Sequence, residues 1–140
     1  MAIREWKRSK LECFLRGTWA PGAQNVIDLY LDGGVTFKGP IASRPDDTMG
    51  IAFAYGRISP QSAAFDRDLA GIAGTQMPVR NFEAALEWTY QWEVADNWFF
   101  QPNIQYIMHP GGNVPSPLNP ASTSPVPDAL VFGMRTTIKF

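Results

Sequence analysis

Glu83 and Glu87 are the two carboxylates in this chain whose spacing comes nearest to acid–base machinery. On a strand, four residues at ~3.3 Å each hold them about 13 Å apart, beyond the roughly 5–9.5 Å that retaining and inverting glycosidases use. They are not a catalytic dyad. Asp46-Asp47 could suggest a metal, but adjacent carboxylates in a turn more often bond locally, and Arg44 is placed to pair with them and stiffen the turn. The single histidine, His109, stands before Pro110-Gly111-Gly112 with no second histidine, cysteine ligand or nucleophile motif, which leaves it a structural role. The single cysteine, Cys13, excludes an intramolecular disulfide and reads as a small apolar filler. The residue types therefore imply no enzyme, no metal and no cofactor.

The remaining polar groups must act through placement, and composition limits what places them. The 140 residues are 45% hydrophobic and 18% charged, enough for one ordered domain. Twelve Lys+Arg against thirteen Asp+Glu give a formal charge of -1, so no basic surface is available for nucleic acid or anionic lipid. Twelve Gly and twelve Pro favour short strands and turns over long helices. No run of about eighteen apolar residues exists, so no transmembrane helix is encoded. A membrane β-barrel stays open, because its alternating strands keep mean hydropathy near neutral, here -0.16. Residues 1–10 carry basic groups but no apolar core or cleavage site after them, so no signal peptide is read, and this stretch stays unassigned.

The strands are read from a two-residue period. Phe82, Ala84, Leu86, Trp88, Tyr90, Trp92 and Val94 share one parity, and Glu83, Ala85, Glu87, Thr89, Gln91 and Glu93 the other. A helix would scatter the tryptophans, so a long strand with one apolar face is predicted. Residues 129–140 repeat the pattern up to Phe140, with the chain ending inside the strand. Residues 97–109 alternate more weakly, and Pro102 predicts a local defect, since it cannot donate to a ladder. Further strands follow from Ile27 to Lys38, Ile51 to Gly56 and Leu11 to Trp19, making an antiparallel up-and-down meander of about six strands. Val94–Asn97 is a tight hairpin and Gly39–Asp47 is compact, whereas Ser59–Pro78 and the proline-rich Pro110–Asp128 are long loops. Short turns at one end and long loops at the other are typical of an outer-membrane barrel. The same period also suits a soluble β-sandwich or small lipocalin-like barrel, in which the apolar face is a core. Strands of about 9–11 residues and large aromatics along one face favour the membrane reading. Phe82, Trp88, Trp92, Trp98, Tyr106 and Phe140, near strand ends, are the expected aromatic girdle.

With these residues laid out, the chain from about Gly17 to Phe140 resembles the C-terminal part of the carbohydrate-selective outer-membrane porins, the OprB family. The resemblance rests on Gly39–Tyr55 continuing through Ile58-Ser59, on Glu83–Tyr90, on Trp98–Tyr106 followed by His109–Gly112, and on Ala129–Arg135 running to Phe140. It implies an all-β barrel of about sixteen strands when complete, of which six are roughly a third. It also implies passive diffusion of sugars, location in the bacterial outer membrane among its lipids, and assembly by the barrel-assembly machinery through the strand ending at Phe140. The family carries Gln-Pro at the place of Gln101-Pro102. On this reading residues 11–140 are the C-terminal portion of a porin barrel, and the chain is a fragment whose constriction loops lie upstream. The wall facing water then carries Asp28, Asp32, Lys38, Glu83, Glu87, Gln91, Gln101, Asn103, Gln105, Arg135 and Lys139. Amides, carboxylates and guanidinium groups match hydroxyl pairs, while Tyr30 or Phe99 offers a stacking face. The alternative function is a soluble antiparallel β domain binding a small ligand or protein partner.

Overall fold

The computed structural model describes residues 10–118 and 123–140. Residues 1–9 of the unassigned stretch and Pro120 of the proline-rich loop lie outside them. In chain order the elements are β1 (Lys10–Trp19), β2 (Ile27–Lys38), β3 (Thr48–Ile58), α1 (Pro60–Ala73), β4 (Phe82–Ala95), β5 (Trp98–Met108), α2 (Pro110–Asn113) and β6 (Ala129–Ile138). The six strands form one sheet in the order β1-β2-β3-β4-β5-β6, each antiparallel to the next. Among the described residues the sheet is unclosed, with β1 and β6 as its edges.

The register carries one parity across every strand. Leu31 lies opposite Tyr55 and Gly17, Phe53 opposite Leu86, Trp88 opposite Ile51 and Ile104, and Ile104 opposite Phe132. Burial along these rows runs opposite to that of a soluble sheet. Leu86 is 50% exposed and Phe132 70%, whereas Asp32, on the other face, is 7% exposed. Cys13 lies opposite Val35 on the apolar face and is exposed, so it fills no core.

Three sequence expectations need correction. The Ser59–Pro78 connection is not all loop, because α1 occupies most of it. Ser59 caps that helix by accepting from the Ser62 amide, Pro60 starts it, and Gly74 at φ 64° ends it in the left-handed region. Phe65, Leu69 and Ile72 follow helical spacing, but all three remain exposed. Second, β6 stops at Ile138 rather than running to Phe140, because its partner β5 begins at Trp98, opposite Ile138. Beyond it the Lys139 amide donates to the Asn97 carbonyl at 2.9 Å. Third, the strand read as Ile51 to Gly56 extends over Thr48–Ile58. Near Pro102 the β4–β5 pairing has a gap between Thr89↔Asn103 and Trp92↔Phe100, as a missing donor requires.

The shortest connection of the described sheet, Asp96-Asn97, and the compact Gly39–Asp47 segment lie at the same end. Gly39–Asp47 joins β2 to β3 there, and Asp96-Asn97 joins β4 to β5 with Asn97 at φ 63°. The opposite end carries residues 20–26, α1 and its flanks, and residues 109–118 and 123–128.

Candidate functional site

The polar face carries clusters of hydrogen-bonding groups separated by small or apolar residues such as Ala54, Ala85 and Val131. Glu87 lies opposite Gln105, whose Nε2 donates to its Oε2. Gln101 donates to Thr89 Oγ1 at 2.9 Å and lies opposite Arg135. Asn103 faces Gly133, where a Cβ would collide with the Asn103 amide, so glycine there leaves the side chain its room. Lys38 lies opposite Thr48, which lies opposite Gln91 in turn. Lys139 sits over the Phe99 ring, 4.9 Å from its centroid. Ten of the eleven wall residues read from the sequence, all but Asp28, share this parity.

Asp28 sits in a bulge. The register shifts between Ile27 and Leu29, and the Asp28 carboxylate takes a two-pronged bond from Arg57, 2.9 Å from Nε and 3.0 Å from Nη2. Arg57 lies opposite Leu29 and Phe82 of the apolar face, so Asp28 neutralises a cation at the end of that face. One strand turn on, Arg16 of β1 grips Asp32 in the same fork, at 2.9 and 2.6 Å. The sequence reading named neither Arg57 nor Arg16 as a site residue. Arg57 carried a signal: a charge on an otherwise apolar parity needs a partner.

The aromatic residues are spread over the height of the apolar face. Trp92 and Trp98 lie at the short-turn end, Phe82 and Tyr106 at the loop end, and Trp88 in the middle between Ile51 and Ile104. Phe140 follows β6 and is fully exposed. The Trp98 indole donates to Thr136 Oγ1 at 2.9 Å, which satisfies its one polar atom on this face.

At the short-turn end, Asp47 is 1% exposed and accepts from Arg44 Nε, from the Tyr90 hydroxyl at 2.6 Å and from the Glu93 amide at 3.0 Å. Arg44 also donates to the Glu93 carbonyl at 3.0 Å and lies 5.0 Å over the Trp92 ring. Burial pushes the Asp47 carboxyl up, but the bonds from Arg44, Tyr90 and Glu93 outweigh it and hold it below its ordinary 3.8. Of the expected Asp46-Asp47 turn chemistry, Asp47 makes the pair with Arg44.

At the loop end, Asp66 of α1 receives the Arg80 amide at 3.1 Å and its guanidinium at 2.8 Å twice, and these bonds lower its carboxyl against the opposing effect of burial. Asp128 accepts from the His109 amide and the Tyr106 hydroxyl, which likewise lower it. His109 itself stands at φ 48°, with Nδ1 3.1 Å from Asn81 Oδ1 and its ring 4.5 Å from that of Phe82. Glu83 accepts from the Gly111 amide while Glu87 pairs with Gln105, so the two glutamates act separately.

The model of the family described as "Carbohydrate-selective porin, OprB family" matches residues 3–140. Porin B of Pseudomonas aeruginosa is 29% identical over 137 residues, covering 93% of this chain and 28% of that protein. Putative porin QuiX of Acinetobacter baylyi is 30% identical over 117 residues, covering 74% of this chain and 24% of that one. The high-pH structure of Pseudomonas putida OprB superposes with a TM-score of 0.79 at 27% identity, over 94% of this chain and 31% of that structure. The chain thus spans under a third of the length of the proteins it matches. Because the family match runs through all six strands, and the superposed structure shares their arrangement, the chain belongs to the carbohydrate-selective porins of the OprB family.

Proposed function

We propose that this chain forms part of the wall of a passive channel in the bacterial outer membrane, through which carbohydrates and other small hydrophilic solutes diffuse. The observation that carries the reading is the inverted sheet. Its large apolar side chains, such as Leu86, Phe132 and Met134, stay exposed, while its polar face is tied into carboxylate, amide and guanidinium pairs. Lipid suits the first face and a water-filled lumen the second. In a soluble sandwich the apolar face would be covered, and no observation favours that arrangement.

The open edges of β1 and β6 call for further strands, since unpaired backbone groups are costly in lipid. A closed barrel of about sixteen strands satisfies them. The lumen residues Asp32, Lys38, Glu83, Glu87, Gln91, Gln101, Asn103, Gln105, Arg135 and Lys139 then select by hydrogen bonding and charge, without a reaction. Asp28 supports the wall through Arg57. The last strand, β6, with Phe140 following it, is the element offered to the barrel-assembly machinery. In this reading the protein is not an enzyme and needs no cofactor. The test is liposome swelling with the intact porin that carries this chain. Swelling that falls in rate from monosaccharides to larger sugars is expected, and sugar-independent shrinkage equal to that of empty liposomes would sink the proposal.

A further inference from the structure

A cavity of about 310 Å³ opens on the polar face at its loop end. Its floor is built of small side chains, Ala54, Gly56 and Ala85, which leave the wall locally hollow. The bulge that displaces Asp28 sets Ile27 opposite Ile58, and these two join Tyr30 on the apolar side of the hollow. Across from them stand Arg80 and Glu83. Arg80 gives two of the five N–H donors of a guanidinium to Asp66 in its fork, which fixes its plane and leaves further donors for a ligand. Glu83 accepts the Gly111 amide on Oε2 and is exposed, so its other oxygen faces solvent. The Gly111-Gly112 turn closes over the rim, with φ of 71° and 77°. A Cβ on Gly112 would lie 2.9 Å from Ile58 Cγ1, so only glycine lets the turn seat this closely.

We propose that this hollow is a capture site for a single pyranose ring at the loop-side mouth of the channel, an inference that rests on the sugar-channel reading. A sugar ring is amphipathic: its C–H face packs on Tyr30 and Ile58, and its neighbouring hydroxyls meet a carboxylate and a guanidinium. The volume lies at the lower end of the roughly 300–1,000 Å³ of small-molecule sites, which suits one ring and not an oligosaccharide. Asp66 anchors Arg80 from outside the cavity and the Gly111 amide anchors Glu83 at its rim, which pre-orders both charged groups and reduces the ordering cost of binding.

The experiment uses the intact porin in planar bilayers with D-glucose added on the loop side. Glucose-dependent current noise gives the half-saturating concentration, and liposome swelling is measured in parallel. Ala54→Leu fills the floor without removing a hydrogen bond, Glu83→Gln weakens the acceptor, and Phe53→Leu changes the opposite face of the same strand. Each variant is first checked for the compact, heat-modifiable barrel on gels. Glu83→Gln is expected to raise half-saturation about fivefold, near the effect of one lost hydrogen bond, and Ala54→Leu to raise it at least as much by occupying the ring's space, with Phe53→Leu unchanged. Unchanged half-saturation in Ala54→Leu and Glu83→Gln, with glucose still entering liposomes, overturns the capture site alone. Failure of glucose to enter liposomes even through the unaltered porin overturns the channel reading beneath it.

Discussion

At the short-turn end, strands are joined by Gly39–Asp47 and by Asp96-Asn97, and one buried carboxylate, Asp47, gathers Arg44, Tyr90 and Glu93 around itself. At the loop end the β3–β4 and β5–β6 connections are long, and the polar groups there are shared out among separate centres: Asp66 with Arg80, Asp128 with His109 and Tyr106, and Glu83 with Gly111. The first arrangement concentrates its stability in one group. The second spreads it, which lets loops carry a cavity and its specificity without the whole end depending on any one residue. A rigid sheet with firm connections at one end can carry variable, functional loops at the other.

The largest effect should come from breaking the centre of the firm end. Asp47→Ala leaves a guanidinium, a hydroxyl and an amide without their acceptor, and should cost about 2–3 kcal/mol, read as a lower temperature for loss of the compact form on gels. Asp66→Ala at the mouth should cost about 1 kcal/mol, because Arg80 is partly exposed and water replaces its partner. Equal losses would erase the contrast between the ends. Acid sharpens it further. Asp47 is held below its ordinary 3.8, so its contribution is complete above that value and is lost as pH falls through the lower folded value. The compact form on gels should therefore begin to lose stability only as pH falls below the ordinary value, and a loss that sets in above it would contradict the bonding given to Asp47. The most local effect belongs to Ser59→Ala, which removes the α1 cap for about 1 kcal/mol of helix stability and leaves the sheet untouched. Faster hydrogen exchange confined to the first turn of α1, with β3 and β4 unchanged, is the expected result.

How far the fold is legible in the sequence differs in the same way between regions. The period from Phe82 to Val94 predicts β4 nearly to its ends, because alternation is a property of one strand alone. The length of the Ser59–Pro78 segment does not reveal α1, whose signals are its boundaries, Ser59-Pro60 at the start and Gly74 after the end. The Asp28 bulge and the Arg16–Asp32 fork were out of reach, because they depend on register between strands. Nor does the period say which face meets solvent: the same alternation fits a buried core, and only the inverted exposure of Leu86 and Asp32, with the family match, separates the two. Trp88 illustrates the point, since its parity was clear and its place at mid-height was not.

The two-faced wall itself is open to one direct measurement. In the intact porin carrying Cys13→Ser, single spin labels are placed at Leu86, Glu87, Trp88 and Thr89 along β4 and at Ile104 and Gln105 along β5. Collision rates with oxygen, which partitions into lipid, are compared with those of a water-soluble nickel chelate. The account requires a strict two-residue alternation, with oxygen favoured at Leu86, Trp88 and Ile104 and the chelate at Glu87, Thr89 and Gln105. Chelate access at every position, or alternation of the opposite phase, would contradict it.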